Sequence, residues 1–400
     1  MKESEYAITP GAGEKTMAAV FLLLIFGFGA VGLILPDRSF SPQENRYLTM
    51  RPALRLQTVL NATYMSRIEE YVTDQFPLRD GWVSFKALCQ RLSGQKENNE
   101  VYFASDRYLI GKPAEAPEEI AAGNLASVLA LANAGYDVAL LVSPMAAEVL
   151  RDKLPALAYT PVQAELAERL RQEAPAILVD VGSGLRRAVD AGEQVYYRSD
   201  HHWTTAGAYA AYRDYMTWLG WEALPREAYE EKVVSTDFYG SLWSKNSLPG
   251  TPPDEIRAFF PREDAGADPV WIVPDYEYEV EYVDGADTWQ VSSVYQPEYL
   301  EQKDQYAYFL GRNCPLTVIR RTDAATGKKL LLFKDSYAHC FVPFLLPHFD
   351  EIHLVDLRYW KQNPIAYLEE QEIRQILFLY NADSFLSDRS ISQPGAYVNR

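Results

Sequence analysis

The chain has 400 residues, 48% of them apolar, enough for one large core or two smaller ones, so disorder is excluded as the default. Its formal charge of -17 repels phosphate backbones and anionic headgroups, which excludes nucleic acid as an expected partner and leaves a substrate that is neutral or met by local positive charge. Three cysteines, Cys89, Cys314 and Cys340, are odd in number without CxxC spacing and read as buried thiols rather than a disulfide framework or a zinc site. The 13% aromatic content fits a sugar-handling protein and equally fits Tyr-rich packing.

Residues 17–35, MAAVFLLLIFGFGAVGLIL, carry no charge, and at about 1.5 Å per residue they match a hydrocarbon core of ~30 Å. The segment reads as an uncleaved transmembrane anchor behind a tail of residues 1–16, because Pro36, Asp37 and Arg38 stand where a small-x-small cleavage exit would be needed. Lys2 and Lys15 before it are matched by Arg38 and Arg46 after it, so charge does not choose the orientation. With long apolar runs confined to this segment, residues 37–400 are expected to be soluble alone.

Residues 36–100 form a juxtamembrane helical segment. Tyr64, Ile68, Tyr71 and Val72 recur at helical spacing, as do Trp82, Phe85, Leu88 and Leu92, which predicts two helices broken near Phe76-Pro77.

From residue 101 to 400 short apolar runs alternate with helical stretches. VALLVSP (138–144), AILVDV (176–181), KLLLFKDS (329–336), EIHLVDL (351–357) and QILFLYN (375–381) read as strands buried on both faces, and Glu118 to Ala134 and Pro161 to Gln172 as intervening helices. The fold class is therefore α/β, a mostly parallel sheet of βαβ units with its chemistry at the carboxyl ends of the strands. Residues 221–325 break the rhythm. There YEYEVEYV puts Tyr276, Tyr278, Val280 and Tyr282 on one face and Glu277, Glu279 and Glu281 on the other, a half-buried antiparallel strand within a β-rich insertion that caps the sheet.

Two stretches can carry chemistry. In YYRSDHHWTTAGAYAAY (196–212), Thr204 or Thr205 caps a helix, so Asp200 to Trp203 occupy the loop entering it. Positions two apart in an extended loop point the same way, which pairs the Asp200 carboxylate with the His202 imidazole, as a catalytic base requires, while His201 faces elsewhere. In LLFKDSYAHCF (331–341) an apolar strand runs into Asp335-Ser336 with Tyr337 onward able to start a helix. That turn exposes the Ser336 hydroxyl and sets its backbone N–H to help an oxyanion hole.

KDSYA resembles the GDS block of SGNH hydrolases, and DHHW resembles the Asp-x-His-Trp block of the alginate O-acetyltransferases and of the bacterial proteins named after DHHW. The resemblance runs over roughly residues 37 to 390, through FPLRD (76–80), ENNEVYFASDRYLIGK (97–112), VSPMAAE and EIHLVDLRYW. It implies a flavodoxin-like SGNH fold with Ser336 as nucleophile, His202 as general base and Asp200 as its orienter. Asp-x-His precedes the serine block, as in the acetyltransferase branch. Lys334 stands where the GDS block has Gly, and Arg312 in GRN where relatives have a second Gly, so Asn313 and Asn381 are both candidate oxyanion donors.

Other readings compete. The adjacent histidines with Asp200 could ligate a metal, although no HExxH spacing accompanies them; no metal or cofactor is expected. His202 could be a structural histidine beside Trp203, Asp335 could accept turn N–H groups, and His339, His348 and His353 look structural. Arg358 and Trp203 are candidate substrate contacts, and Trp243 with Lys245 and Asn246 could line a cleft. The expected activity is O-acylation, by resemblance O-acetylation, of an exported or cell-surface polysaccharide by an extracytoplasmic domain. The resemblance also implies a membrane acyl-donor protein as a partner, since outward-facing transferases of this kind lack cytosolic acetyl-CoA. A carbohydrate esterase with the same triad and a catalytically silent cell-surface scaffold are the alternatives.

Overall fold

The structure, a computed structural model, describes residues 11–61, 63–262, 278–322 and 326–398. The chain divides into two compact units, Met1–Cys89 and Gln90–Arg400.

In the first unit α1 (Ala12–Ile34) is long and apolar enough to cross a membrane, with a mean hydropathy of 2.6 and no buried residue. Two amphipathic helices follow, α2 (Thr63–Asp74) and α3 (Arg79–Leu92), interrupted at Phe76-Pro77 as the apolar spacing predicts. Phe28 of α1 stacks on Phe76 at 5.4 Å and meets the edge of Trp82 at 5.9 Å. Cys89 is exposed on α3, unlike the buried Cys314 and Cys340; the expectation of three buried thiols fails there because the helix turns that position away from its packed side.

The second unit is built on a seven-stranded sheet whose strands are β1 (Asp137–Ser143), β2 (Tyr278–Asp284), β3 (Asp287–Val291), β4 (Leu316–Arg321), β5 (Lys329–Lys334), β6 (Glu351–Val355) and β7 (Gln375–Asn381). Their order is β3-β2-β4-β6-β5-β7-β1. The four at one end, β6, β5, β7 and β1, run parallel and are four of the five apolar runs of the sequence. The fifth, 176–181, makes only a parallel bridge between Leu178 and Leu140. It is squeezed between helices ending at Glu173 and starting at Gly182, and Pro175 has no N–H to give a ladder.

The sheet is mixed rather than mostly parallel, because β4, β2 and β3 join it antiparallel. Residues 278–291 thus lengthen the sheet at its edge instead of capping it. Val280 and Tyr282 are buried and Glu279 is exposed, in line with the alternation; Tyr276 and Glu277 of that expected strand lie outside the described residues. Strands Tyr229–Phe238 and Asp254–Pro261 pair separately as a two-stranded ribbon.

Alternate residues of the parallel strands enter two different cores. Leu330 and Leu332 pack with Tyr212 and Met216 of α4 (Thr205–Leu219), while Leu331 and Phe333 pack with Leu125 and Val128 of the helix Glu118–Asn133. A sheet covered by helices on both faces leaves its strand ends as the open edge where polar groups can gather.

Candidate active site

Strand β5 lies between β6 and β7, so Asp335 and Ser336 leave the sheet at its carboxyl edge. Asp335 caps a 3-10 turn, Ser336–Ala338, by accepting the Tyr337 N–H at 2.9 Å, and its other oxygen accepts the backbone and side-chain N–H groups of Asn381 at 2.8 and 2.7 Å. It therefore takes turn N–H groups. The helix expected from Tyr337 onward is reduced to two short turns, since Pro343 cannot donate to the carbonyl four residues back.

The second element is the loop before α4. Tyr196 bridges antiparallel to Trp203, which makes Ser199 to His202 the tip of a tight bend. Thr204 caps α4 by accepting the Gly207 N–H. Buried Asp254 fixes the other arm, accepting from the N–H of Arg198 and of Ser199 at 2.9 and 2.8 Å and from the Ser199 hydroxyl at 2.6 Å.

The bend brings three side chains into line. His202 Nδ1 is 2.6 Å from Asp200 Oδ1, and His202 Nε2 is 2.7 Å from Ser336 Oγ. The second Asp200 oxygen accepts the Ser241 N–H at 2.7 Å. Gly240 permits that approach, because a Cβ there would stand 2.2 Å from the Asp200 Cβ. His201 does not turn fully away: its ring centroid lies 3.8 Å from that of His202, and its Nδ1 meets the Ser241 hydroxyl at 2.6 Å.

The electrostatics suit a proton acceptor. Burial and the neighbouring His201 charge push His202 down to about 4, against the pull of Asp200, so its imidazole is neutral at neutral pH. Burial alone would raise the Asp200 carboxyl, but its electrostatic and hydrogen-bond interactions with His201 and His202 outweigh it and hold Asp200 well below the usual range. Burial likewise would lower His201, yet the Asp200 charge raises it. Such an arrangement can abstract a hydroxyl proton from Ser336. Asp200, His201 and His202 also offer ligand atoms within 4.8 Å of one another. His202 spends both ring nitrogens on Asp200 and Ser336, however, so a cation would have to displace one of them.

The remaining candidates divide. Both N–H groups of the Asn381 amide are engaged, one by Asp335 and one by the Ser384 hydroxyl, and its Oδ1 caps the helix Ala382–Ser387. Asn313 is exposed, with Oδ1 3.4 Å from Lys334 Nζ. Lys334 is buried against His339 Nε2 at 2.7 Å, and burial pushes its ammonium down to about 8. Arg358 forks onto the buried Asp356 at 2.8 and 2.6 Å. Trp203 is fully buried and donates its indole N–H to the Tyr337 carbonyl at 2.8 Å, so the expectation that it touches substrate is corrected: it packs beneath the site. Trp243 is half-buried with the Lys303 ammonium 4.7 Å from its ring, while Asn246 is fully buried and lines no cleft. His348 and His353 bond the hydroxyls of Tyr212 and Tyr367, as structural histidines do.

Sequence reasoning missed Tyr306, Tyr337, Ser241 and Asp254. Tyr306 lies flat on His202, and the Tyr337 hydroxyl donates to the His201 carbonyl. Tyr337 stands beside Ser336 in the KDSYA block, which does not show its reach to His201, while Tyr306, Ser241 and Asp254 carry no motif and meet the site across 30, 41 and 55 residues of chain, so only the fold reveals these contacts.

Residues 184–355 match the family model described as DHHW protein, and residues 102–255 match the SGNH hydrolase-like domain of acetyltransferase AlgX. No curated protein matches the chain. Among solved structures, a DHHW family protein from Eubacterium siraeum is 21% identical over 74% of this chain and 95% of its own, with a TM-score of 0.59. PatB1 from Bacillus cereus is 19% identical over 71% of this chain and 97% of its own, with a TM-score of 0.60, and PatB1 with a sulfonyl adduct gives 18%, 72%, 98% and 0.59. These likenesses establish a shared fold, and the two family models show that residues 102–355 are similar to the SGNH hydrolase-like domain of AlgX and to the DHHW proteins.

Proposed function

We propose that this chain is a membrane-anchored, extracytoplasmic serine acyltransferase that O-acetylates an exported or cell-surface polysaccharide. The observation that carries the reading is His202 standing between Asp200 and Ser336 at 2.6 and 2.7 Å. The match to the SGNH hydrolase-like domain of acetyltransferase AlgX supports acyl transfer over a silent scaffold. The strand order supports the flavodoxin-like reading as well: numbered from β5, and with the Leu178 bridge as fifth member, the parallel strands run 2-1-3-4-5, cyclically permuted so that Asp200 and His202 precede the serine. We assign residues 1–16 to a tail, 17–35 to the anchor, 36–100 to the juxtamembrane segment and 101–400 to the catalytic domain, with residues 221–325 as its insertion.

In the mechanism neutral His202 Nε2 takes the Ser336 proton as Oγ attacks the acyl carbonyl of a donor. Asp200 holds the Nδ1–H and stabilises the imidazolium that forms. The tetrahedral adduct collapses, and the donor's leaving group departs with the proton from His202. A sugar hydroxyl then gives its proton to His202 and attacks the Ser336 ester, releasing the O-acyl glycan and restoring the serine. Asn313 is the side chain we assign to the oxyanion, since the Asn381 amide is engaged elsewhere. Arg358, oriented by Asp356, is the assigned glycan contact, and a membrane acyl-carrying protein is the donor partner.

Water in place of the sugar would make the same site an esterase. Intact mass after incubation with an activated acetyl ester tests the shared step: a +acetyl species lost in Ser336→Ala supports the enzyme, and its absence from folded wild-type protein defeats it. Surface-glycan acetylation with and without the protein separates transferase from esterase.

A further inference from the structure

We infer that the α2–α3 hairpin is a second membrane-contacting element, lying in the headgroup and upper acyl region of an anionic leaflet beside the anchor. The inference rests on the reading of α1 as that anchor.

Exposed large apolar side chains are concentrated in one part of the chain. Between Tyr47 and Leu92 they include Leu54, Leu56, Leu60, Met65, Phe85 and several more, whereas among the described residues of the far longer stretch after Leu92 there are only six. On α2, Met65, Ile68 and Val72 form one stripe, with Arg67, Glu70 and Asp74 on the other side of the helix. On α3, Trp82 and Phe85 are 46% and 57% exposed one turn apart. An open apolar groove of about 640 Å³ separates the hairpin from α1, walled by Phe21, Ile25 and Phe28 on one side and by Val72, Phe76 and Trp82 on the other. Water would have to fill it in a soluble setting. Next to a helix already in lipid, acyl chains fill it without cost.

Charge identifies the surface. The hairpin, residues 63–92, carries four Lys or Arg against four Asp or Glu, so it is neutral within a chain whose formal charge is -17, and the exposed Arg51 and Arg55 stand just ahead of it. The apolar hairpin is thus free of the net negative charge of the rest of the protein, and Arg51 and Arg55 beside it are attracted by anionic headgroups at about 1 kcal/mol per residue near the surface. Phe28, Phe76 and Trp82 cluster as interfacial aromatics do. Repulsion of anionic lipid therefore holds for the molecule's bulk and not for this element. A chain lacking only its first 36 residues would keep its affinity for membranes, contrary to the solubility expected from the apolar runs alone.

The test uses the full chain in vesicles of phosphatidylcholine and phosphatidylglycerol, some of whose acyl chains are brominated. Exposed Cys89 is removed by Cys89→Ser, and a polarity-sensitive fluorophore is attached in turn at Phe85→Cys, Met65→Cys, Leu24→Cys on α1 and Leu157→Cys, a fully exposed control in the second unit. Probes at positions 85 and 65 should shift to the blue and lose about half their emission to the lipid quencher, as side chains seated ~5–10 Å into the leaflet would, while position 157 is unchanged. Water-like emission at 85 and 65, or emission that is blue-shifted yet untouched by brominated lipid because another protein covers the hairpin, would overturn the inference. Quenching at position 24 alone would then leave the anchor standing, and its loss there too would remove both.

Discussion

The Tyr306 ring lies parallel to the His202 imidazole, 3.9 Å between centroids at 11°, and its hydroxyl donates to the Ser336 carbonyl at 3.1 Å. One side chain thus sets the plane of the His202 ring and the backbone of Ser336, the base and the nucleophile of the proposed mechanism. Tyr306→Phe should keep the stack, lose a bond of about 1 kcal/mol, and lower kcat less than tenfold. Tyr306→Leu should free the ring to tilt and lower kcat on an activated ester by about 10²-fold with little change in KM, because a misplaced base acts in the transition state. Equal kinetics for the two variants would show that the stack is only packing.

The neighbouring histidines should separate sharply. His202→Ala should cost ~10³-fold or more in kcat, as Ser336→Ala should, whereas His201→Ala should cost far less. If the cluster at Asp200 instead held a metal, losses at 201 and 202 would be equal, chelators would abolish activity, and Ser336→Ala would be tolerated. Rates measured on folded variants with and without chelator decide between them.

The pH profile follows from the burial of the base. Only neutral His202 can accept the serine proton, and burial together with His201 brings it down to about 4. Activity on an activated ester should therefore climb through about pH 4 and be level well before neutrality, rather than climb near the ordinary histidine value of ~6.5. Since the His201 charge disfavours protonation of His202, His201→Gln should move the rising limb to higher pH. A limb that moves down, or stays put, in that variant would break the proposed coupling.

Asp254 should matter for stability and activity together. It receives two backbone N–H groups, the Ser199 hydroxyl and the Gln194 amide at 3.0 Å, so Asp254→Ala leaves several buried donors unpaired at about 1–3 kcal/mol each. Thermal unfolding should drop by many degrees and turnover should fall with it. Ser336→Ala, by contrast, should abolish turnover at unchanged Tm.

Much of this was legible in the sequence, and the particular failures have physical causes. Four doubly buried runs stand within a residue or two of β1, β5, β6 and β7, because a strand covered on both faces must be apolar throughout. The two-residue step from Asp200 to His202 predicted their pairing, since a bend between paired arms keeps alternate side chains together. Strand β4 (LTVIRR) was missed because its second half is polar, and the place of β2 between β3 and β4 was missed because alternation gives a strand's two faces but not its neighbours. Tyr306 and Asp254 were illegible for a simpler reason: a stacking ring and a buried acceptor are defined by what surrounds them.

The register between β1 and β7 reaches further than the site. Asp137 pairs with Gln375 and Ser143 with Asn381, so an early strand of the sheet has its main ladder with the final one. A ribosome delivers these partners far apart in time, and loop closure across nearly the whole domain must be met before either strand is satisfied. Until then β1 has only the Leu178 bridge to hold it, and β5, which leads into Ser336, has no strand joining it to β1. A nascent chain built this way stays open until its last strand arrives. Such a chain can be threaded through an export channel unfolded, and loss of residues beyond about Arg374 should leave no partly working enzyme behind.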